Sequence, residues 1–244
     1  MILLVIQGLS KRYRGSYLGV LWSLINPILT VAVFAFVFPL VLKIRMEDYL
    51  TYIFSGIAAW NLISTCVIGG CNSITQRKGL LRKIYLPKLI FPLVLVITEL
   101  VNAILVLIAF HVIAFFLGLT IKTNIFYLTS SFICVFFFCV GVSGMLSVLC
   151  VYFRDIKHIV GVLMQGAFFL SAIIYPAYVI PEKFLTLLEF NPLYQFVRLF
   201  HQAIYYGSEP DWSYFTVPVI LVGLLLIMSI ALQQKFDKKL MYRI

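Results

Sequence analysis

Charged residues are scarce in this chain. They make up 11% of its 244 residues, whereas 63% are hydrophobic, and the mean hydropathy is +1.06. A soluble domain carries about 25% charged residues. Because this inventory cannot cover a water-exposed surface, the composition excludes a soluble globular protein and indicates an integral membrane protein.

Segments that alternate apolar and polar residues are also missing. A membrane β-barrel would show this alternation in strands of about ten residues. Here the apolar runs are continuous and about twenty residues long, which is the length that an α-helix needs to cross the ~30 Å hydrocarbon core. The sequence therefore predicts an all-α integral membrane protein.

Motifs for nucleotide or metal chemistry are absent from the sequence. No G-x-x-x-x-G-K-[ST] loop is present to cradle nucleotide phosphates. The cysteines are five in number, lie in or beside apolar runs and lack metal-ligand spacing, so they are expected to act as small apolar residues. We therefore expect no metal, no cofactor and no ATP hydrolysis in this polypeptide.

Six apolar runs are candidate membrane spans, and together they predict a single transmembrane domain over residues 1–244. The fifth run is the shortest. The six spans are Leu21–Leu42, Tyr49–Ile68, Leu89–Leu117, Ile125–Cys150, Ile159–Ile174 and Phe215–Leu232.

The basic residues are distributed unequally between the two sides that these spans define. Fourteen of the 19 lysines and arginines fall on one side and five on the other, which predicts that both termini are cytoplasmic. Six acids, from Glu47 to Asp211, fall on the outer side. Because the cytoplasmic cations are spread over four separate segments, we expect no nucleic-acid partner.

The segment Gln7–Gly19 carries cations among apolar residues directly before the first span. A helix here would lie in the headgroup layer, with Lys11, Arg12 and Arg14 against anionic lipid. Two interpretations remain open, a topology anchor and a docking surface for an anionic lipid-linked substrate.

The predicted cytoplasmic loop Thr75–Pro87 is basic and amphipathic. Its apolar residues follow helical spacing until Pro87 ends the pattern, and they are Leu80, Leu81, Ile84 and Tyr85. Such a helix either fits the groove of a partner protein or rests on the bilayer surface.

The predicted outer segment Tyr175–Tyr206 is too polar for a lipid-facing span and too apolar for a solvated loop. Asn191-Pro192 divides it into two short halves. Two half-helices that re-enter the outer leaflet satisfy both properties and would narrow the outer end of a pathway.

Four stretches carry a resemblance to a known family. In order they are RYRGSYLGVLWSLINP (12–27), LLRKIYLPKLIFPL (80–93), CVYFRDIKHIV (150–160) and YPAYVIPEKF with NPLYQFVRLF (175–184 and 191–200). Together they resemble the permease subunits of type-2 ATP-binding-cassette polysaccharide exporters, the Wzm-type O-antigen, capsule and teichoic-acid permeases.

This resemblance implies a permease homodimer in the bacterial inner membrane, served by two copies of a separate ATPase that binds ATP and Mg. Gln7–Gly19 would be the interface helix, with Lys11, Arg12 and Arg14 at the lipid or diphosphate. The segment Tyr175–Tyr206 would be the re-entrant outer gate. The coupling helix would contact the ATPase through Arg77, Lys78, Leu80, Leu81, Arg82, Lys83, Ile84 and Tyr85. The implied substrate is a lipid-linked polysaccharide, with O-antigen favoured.

Aromatic side chains are abundant, at 16% of residues, and suit a wall along which a sugar chain slides without fixed hydrogen bonds. Ordinary lipid-facing or interfacial positions are the alternative for each of them. The predicted pathway residues are Phe34, Phe38, Tyr52, Trp60, Phe168, Phe169, Tyr175 and Tyr178.

Two other functions compete with polysaccharide export. One is export of a drug or small lipid within the same superfamily. The other is a membrane-embedded lipid-linked sugar transferase, which would need clustered acids at one face, whereas only Asp155 and Asp237 lie on the cytoplasmic side. Glu99, inside the third span, is either a structural hydrogen-bonding group or a proton-handling group.

Overall fold

The computed structural model describes residues 4–8, 21–42, 46–77, 79, 87–119, 121–207, 209 and 211–243. The structure is 86% helical, and no strand occurs among the described residues. This confirms the predicted all-α class.

Six helices follow the six apolar runs: α1 (Leu21–Leu42), α2 (Met46–Ser73), α3 (Ile90–Phe116), α4 (Ile125–Tyr152), α5 (Ile156–Leu170) and α8 (Thr216–Arg243). Between α5 and α8 lie the short helices α6 (Glu182–Glu189) and α7 (Pro192–Phe200), and α7 continues into a π-helix, His201–Tyr206. Single 3₁₀ turns form at Thr75–Arg77, Ala177–Val179 and Trp212–Phe215. The split of the predicted outer segment into two halves at Asn191-Pro192 is confirmed.

Four stretches of the described chain are helical, long and apolar enough to cross a membrane: Tyr49–Ser73, Ile90–Phe116, Ile125–Tyr152 and Trp212–Phe236. Two shorter apolar helical stretches, Ile25–Val41 and Ile156–Leu170, lie in α1 and α5. The helix α1 has the predicted bounds, whereas α2 extends five residues beyond the predicted end at Ile68.

The helix ends gather at two ends of the bundle: the ends of α2 and α4 and the start of α5 line one cavity, whereas the start of α2 contacts the chain that follows α5. One end, here called the basic end, holds Arg77, Lys88, Arg154 and Lys157. The opposite end, here called the tyrosine end, is where α2 and α4 begin and α5 stops.

The fold is centred on α2 and α4. Within their apolar stretches 72% and 61% of residues are buried, against 17% in α8. The backbones approach closely at small residues: a Cβ on Gly70 of α2 would lie 2.7 Å from the Cα of Ser143 in α4. A Cβ on Gly141 of α4 would lie 2.9 Å from the Cβ of Leu225 in α8. Glycine therefore sets the separation of these helices.

Polar side chains define where several helices begin. The Oδ1 atom of Asn124 accepts a hydrogen bond from the amide of Tyr127 at 3.1 Å and caps α4. The Oδ1 atom of Asn191 accepts from the amide of Leu193 at 3.0 Å, with Pro192 in the first turn of α7.

The fifth predicted span, Ile159–Ile174, is placed incorrectly. The helix α5 begins at Ile156 and ends at Leu170, and residues 171–175 leave the helix. Apolar composition extends the predicted span to Ile174, but Ala172 takes a left-handed backbone conformation that no helix accommodates. This irregular segment forms the centre of the candidate site.

Candidate functional site

The backbone that follows α5 is strained at a buried alanine. Ala172 has a φ of 50° and is fully buried. A left-handed conformation costs a residue with a Cβ about 1–2 kcal/mol, so it persists only where the surroundings impose it. The surroundings here are side chains of α2.

Two tyrosines of α2 hold the carbonyl groups of this segment. The Oη atom of Tyr52 donates to the carbonyl oxygen of Ala172 at 2.8 Å and approaches that of Tyr175 at 3.1 Å. The Oη atom of Tyr49 donates to the carbonyl oxygen of Ile174 at 2.7 Å. Since both tyrosines are buried, these bonds replace the water that would otherwise satisfy the carbonyl groups of 171–175.

A histidine from the π-helix completes the cluster. The ring of His201 stacks on that of Tyr52, with centroids 4.1 Å apart and planes 5° apart, and Tyr205 meets Tyr52 edge to face at 5.3 Å. The Nδ1 atom of His201 lies 2.7 Å from the Oγ atom of Ser55. We call Tyr49, Tyr52, Ser55, His201 and the carbonyl groups of 171–175 the clasp.

The protonation of His201 follows from its neighbours. The Oγ atom of Ser55 lies 2.6 Å from the carbonyl oxygen of Tyr52 and 2.7 Å from Nδ1 of His201, so its single proton can be donated to only one of these two acceptors. The Nε2 atom is buried and has no hydrogen-bond partner within the described part of the chain. Burial lowers the pKa of His201, which lies outside the six spans, to about 3, so the ring is neutral at pH 7.

Glycine makes room for this histidine. A Cβ on Gly56 would lie 2.9 Å from Cε1 of His201 and 3.2 Å from Cγ2 of Ile173. Any larger residue would push the π-helix or the 171–175 segment away from α2.

Asn191 joins the end of α5 to the start of α7. Its Nδ2 atom donates to the carbonyl oxygen of Leu170 at 2.9 Å and to Oγ of Ser171 at 3.2 Å, while its Oδ1 atom caps α7. The Nε2 atom of Gln195 donates to the carbonyl oxygen of Glu189 at 2.7 Å and ties α7 to α6. The two short helices, the end of α5 and the start of α2 are thus one connected unit.

The predicted pathway residues fall into two groups. Phe34, Phe38, Trp60 and Phe168 form one aromatic cluster between α1, α2 and α5, with centroid distances of 5.7 Å for Phe34–Phe38, 6.2 Å for Phe34–Phe168 and 5.5 Å for Trp60–Phe168. Tyr52 belongs to the clasp instead. Trp60 is 7% exposed and Tyr52 4%, so both rings are enclosed within the chain.

Phe169 and Tyr175 lie nearer the surface. Phe169 is 61% exposed, and the hydroxyl of Tyr175 donates to its carbonyl oxygen. The side chain of Tyr178 lies outside the described part of the chain. The pathway role of all eight residues stays a prediction.

The residues predicted to contact lipid, substrate or the ATPase are mostly outside the described residues. These include Lys11, Arg12 and Arg14 of the interface helix, and Lys78, Leu80, Leu81, Arg82, Lys83, Ile84 and Tyr85 of the coupling helix. Arg77 is described and closes the 3₁₀ turn after α2.

Sequence reasoning missed Tyr49, Ser55 and His201. The spacing of polar side chains on α2 could have indicated a polar contact surface. Tyr49, Tyr52 and Ser55 recur every three residues and so share a helix face. The partner of that face could not be identified, because His201 lies 146 residues after Ser55 in the chain.

Comparisons with known proteins agree with the resemblance in the sequence. The pattern of the ABC-2 type transporter family matches residues 1–205. A protein of Myxococcus xanthus named O-antigen export system permease protein RfbA is 30% identical over 229 residues, covering 91% of this chain and 88% of that protein. A Klebsiella pneumoniae protein of the same name is 25% identical over 218 residues, covering 89% and 84%. The polysialic acid transport protein KpsM of Escherichia coli is 21% identical over 236 residues, covering 91% and 90%.

Proposed function

The chain belongs to the ABC-2 type transporter family, and from that membership we propose that it is the transmembrane subunit of an ATP-driven exporter of lipid-linked polysaccharide. The observation that carries the proposal is the nearly full-length similarity to permeases named for O-antigen export and for polysialic acid transport. O-antigen is the proposed polymer because the more similar relatives carry that name.

A separate ATPase supplies the energy in this proposal. The chain has no phosphate-cradling loop, so ATP and Mg bind to the partner. Two permease copies and two ATPase copies form the complex, and the coupling helix that follows Arg77 transmits motion from the ATPase.

The proposed topology has six spans, α1 to α5 and α8, in the bacterial inner membrane with both termini in the cytoplasm. The basic end then faces the cytoplasm, in agreement with the excess of lysine and arginine at that side. The tyrosine end faces outward, and the short helices α6 and α7 re-enter the outer leaflet.

The clasp is the proposed outer gate. Its hydrogen bonds join α2 to the segment that follows α5, and Asn191 separately joins the end of α5 to α7. Since each bond is replaceable by water once the segment moves, the clasp can open for a polymer and close again. The aromatic rings of α1, α2 and α5 would then offer flat, weakly directional contacts to sugar faces.

Deletion of the gene that encodes this chain, in its native cell, tests the proposed function. We expect surface polysaccharide to disappear and lipid-linked polymer to accumulate on the cytoplasmic face, with recovery when the chain is supplied again. Normal surface polysaccharide would contradict the proposal. Loss of dye efflux or of phospholipid translocation, with polysaccharide unchanged, would support the small-molecule exporter instead.

A further inference from the structure

A polar cavity lies at the basic end, away from the clasp. It has a volume of about 390 Å³ and is enclosed by the ends of α2 and α4 and the start of α5. Ligand pockets occupy roughly 300–1,000 Å³. Among the described residues that line it, Val151 is the one aliphatic side chain. The cavity therefore suits a polar group and not a hydrocarbon tail.

Two neighbouring thiols form the buried floor of this cavity. The side chains of Cys71 on α2 and Cys150 on α4 are hydrogen-bonded to each other, and they are only 2% and 4% exposed. A buried free cysteine behaves as a small apolar residue with a weak S–H donor. The charge of the cavity therefore comes from the residues around its rim.

The rim is basic. Arg154, Lys157 and His158 line it, and no carboxylate does so within the described part of the chain. An arginine keeps its charge in proteins, and an exposed lysine is an ammonium at pH 7. In the same described part, neither Arg154 nor Lys157 forms an ion pair. The neighbouring Asp155 is exposed and does not line the cavity, so both cations are available to a ligand.

The positive charge extends into the cavity from the start of α5. The ammonium of Lys157 acts electrostatically on the thiols of both Cys71 and Cys150, so its charge reaches the floor. The N-terminus of a helix adds a partial positive charge. The amides of Lys157 and His158 already donate to carbonyl oxygens of the preceding turn. An anion here would therefore be held by side chains and favoured by the helix dipole.

The end of α2 supplies neutral donors across from the cations. The side-chain amide of Asn72 carries two N–H donors and makes no hydrogen bond within the described residues. Thr75 lies one turn later, and its hydroxyl donates to the carbonyl oxygen of Asn72 at 3.2 Å. The complement of this wall is a group with several acceptor oxygens and two negative charges.

We propose that this cavity binds a phosphate group with two negative charges, in a phosphomonoester or a diphosphate. Arg154 binds two of its oxygens in a bidentate manner, Lys157 balances the second charge, and the amide of Asn72 donates to a further oxygen. A phosphomonoester carries a charge of about −1.5 to −2 at pH 7, whereas a phosphodiester carries only one negative charge. The group reaches the cavity on a lipid headgroup or as a free phosphate compound. The proposal does not depend on the exported polymer.

Native mass spectrometry of the full-length chain tests this assignment. The purified protein is exchanged at pH 7.5 into detergent with equal amounts of phosphatidic acid, phosphatidylglycerol and phosphatidylcholine of identical acyl chains. These lipids present a phosphomonoester, an anionic phosphodiester and a zwitterionic headgroup. We expect one phosphatidic acid retained per chain, at least ten-fold over either other lipid.

Inorganic diphosphate added at the same concentration identifies the source of the phosphate group. If phosphatidic acid stays bound, the ligand is a lipid headgroup. If diphosphate replaces it, the ligand is a free phosphate compound. Either result supports the proposal, because both follow from a site that prefers two negative charges.

Matched variants identify the groups responsible. Arg154→Gln and Lys157→Gln should each reduce retention of phosphatidic acid at least ten-fold, and Arg154→Lys should reduce it less because the charge is kept. Lys235→Gln is the control, since it removes an exposed cation of α8 that does not line the cavity, and it should leave retention unchanged.

Three results would overturn the proposal. The first is equal retention of the three lipids by the wild-type chain. The second is an equal loss in Lys235→Gln, which would indicate general surface charge. The third is unchanged retention in a folded Arg154→Gln variant that has lost its partner ATPase, which would assign these cations to that partner. The wild-type comparison decides the question even if a variant does not fold.

Discussion

The ring of His201 stacks on the ring of Tyr52, with centroids 4.1 Å apart, while the Tyr52 hydroxyl donates to the carbonyl oxygen of strained Ala172. One side chain of α2 thus contacts both the π-helix and the irregular end of α5. Tyr52 therefore joins the π-helix to the segment that follows α5 within the proposed gate.

Replacing Tyr52 with phenylalanine should loosen the gate and keep the stacked ring. The change removes the hydrogen bond to the buried carbonyl group of Ala172, worth about 0.5–1.5 kcal/mol, and leaves that acceptor unsatisfied. We expect a lower midpoint of thermal unfolding and faster leakage of a small dye from proteoliposomes. Phe126→Leu, at a position 64% exposed, is the control. Leakage equal to that of the wild type would indicate that this hydrogen bond does not hold the gate.

Replacing Gly56 with alanine should disrupt the clasp through steric overlap. The added Cβ would lie 2.9 Å from Cε1 of His201, and overpacking of this kind costs about 1–3 kcal/mol. Gly166→Ala is the matched control, because a Cβ there meets no atom within 4 Å. A second change, His201→Ala, should recover part of the lost stability in the Gly56 variant. If the Gly56 and Gly166 variants unfold at the same temperature, the packing of Gly56 against His201 leaves room for a methyl group, and the steric prediction is wrong.

Acidic pH should favour the open gate through His201. Burial lowers the pKa of this ring to about 3, whereas an accessible histidine has a pKa of about 6.5. The closed state therefore binds fewer protons, so its stability is complete above pH 6.5 and falls by about 1.4 kcal/mol per pH unit below it.

Among the described residues, the titratable side chains in contact with His201 do not compete in this range. Its neighbours are Tyr52, Ser55 and Tyr205, and phenols ionise only near pH 10. Hydrogen bonds from Ser213 lower the pKa of the exposed Asp211 carboxyl, so this carboxylate is already charged at pH 5.5. We expect dye leakage to rise between pH 7.5 and pH 5.5 in the wild type and to stay constant in His201→Gln. An equal rise in both proteins would assign the effect to another group.

The coupling loop should bind the partner ATPase through its apolar face. Replacing Leu81 and Tyr85 with glutamate would place charges where the proposed helix enters an apolar groove. We expect the ATPase to be lost from the purified complex while the permease dimer survives, as measured by size-exclusion chromatography with light scattering. If the ATPase stays in the purified complex and transport continues, the loop is only a surface connector.

The long helices could be predicted from the sequence because hydrocarbon thickness and backbone hydrogen bonding allow few alternatives for a long apolar run. The bounds of α1 follow directly, and Asn191-Pro192 divides the outer segment as expected. The end of α5 could not be predicted, since Ala172 is held in its conformation by Tyr52, 120 residues earlier in the chain.

The candidate site was only partly predictable for a related reason. Tyr52 was assigned to the pathway because aromatic residues suit sugar contacts, but its burial and its hydrogen bond to the carbonyl oxygen of Ala172 depend on the folded position of residues 171–175. His201 carries no local motif, and its stacking appears only once the π-helix packs on α2. Tertiary contacts of this kind leave little trace in hydropathy or spacing.

Transport by the reconstituted complex is the most direct test of polysaccharide export. The chain is placed in proteoliposomes with its partner ATPase, lipid-linked polymer is supplied on the side of the ATPase, and the polymer that becomes protected from an added glycosidase is measured. We expect protection that requires ATP and Mg and is lost when the ATPase is inactivated. ATP hydrolysis by an intact complex that translocates a small lipid or a dye, and leaves the polymer fully accessible, would contradict it.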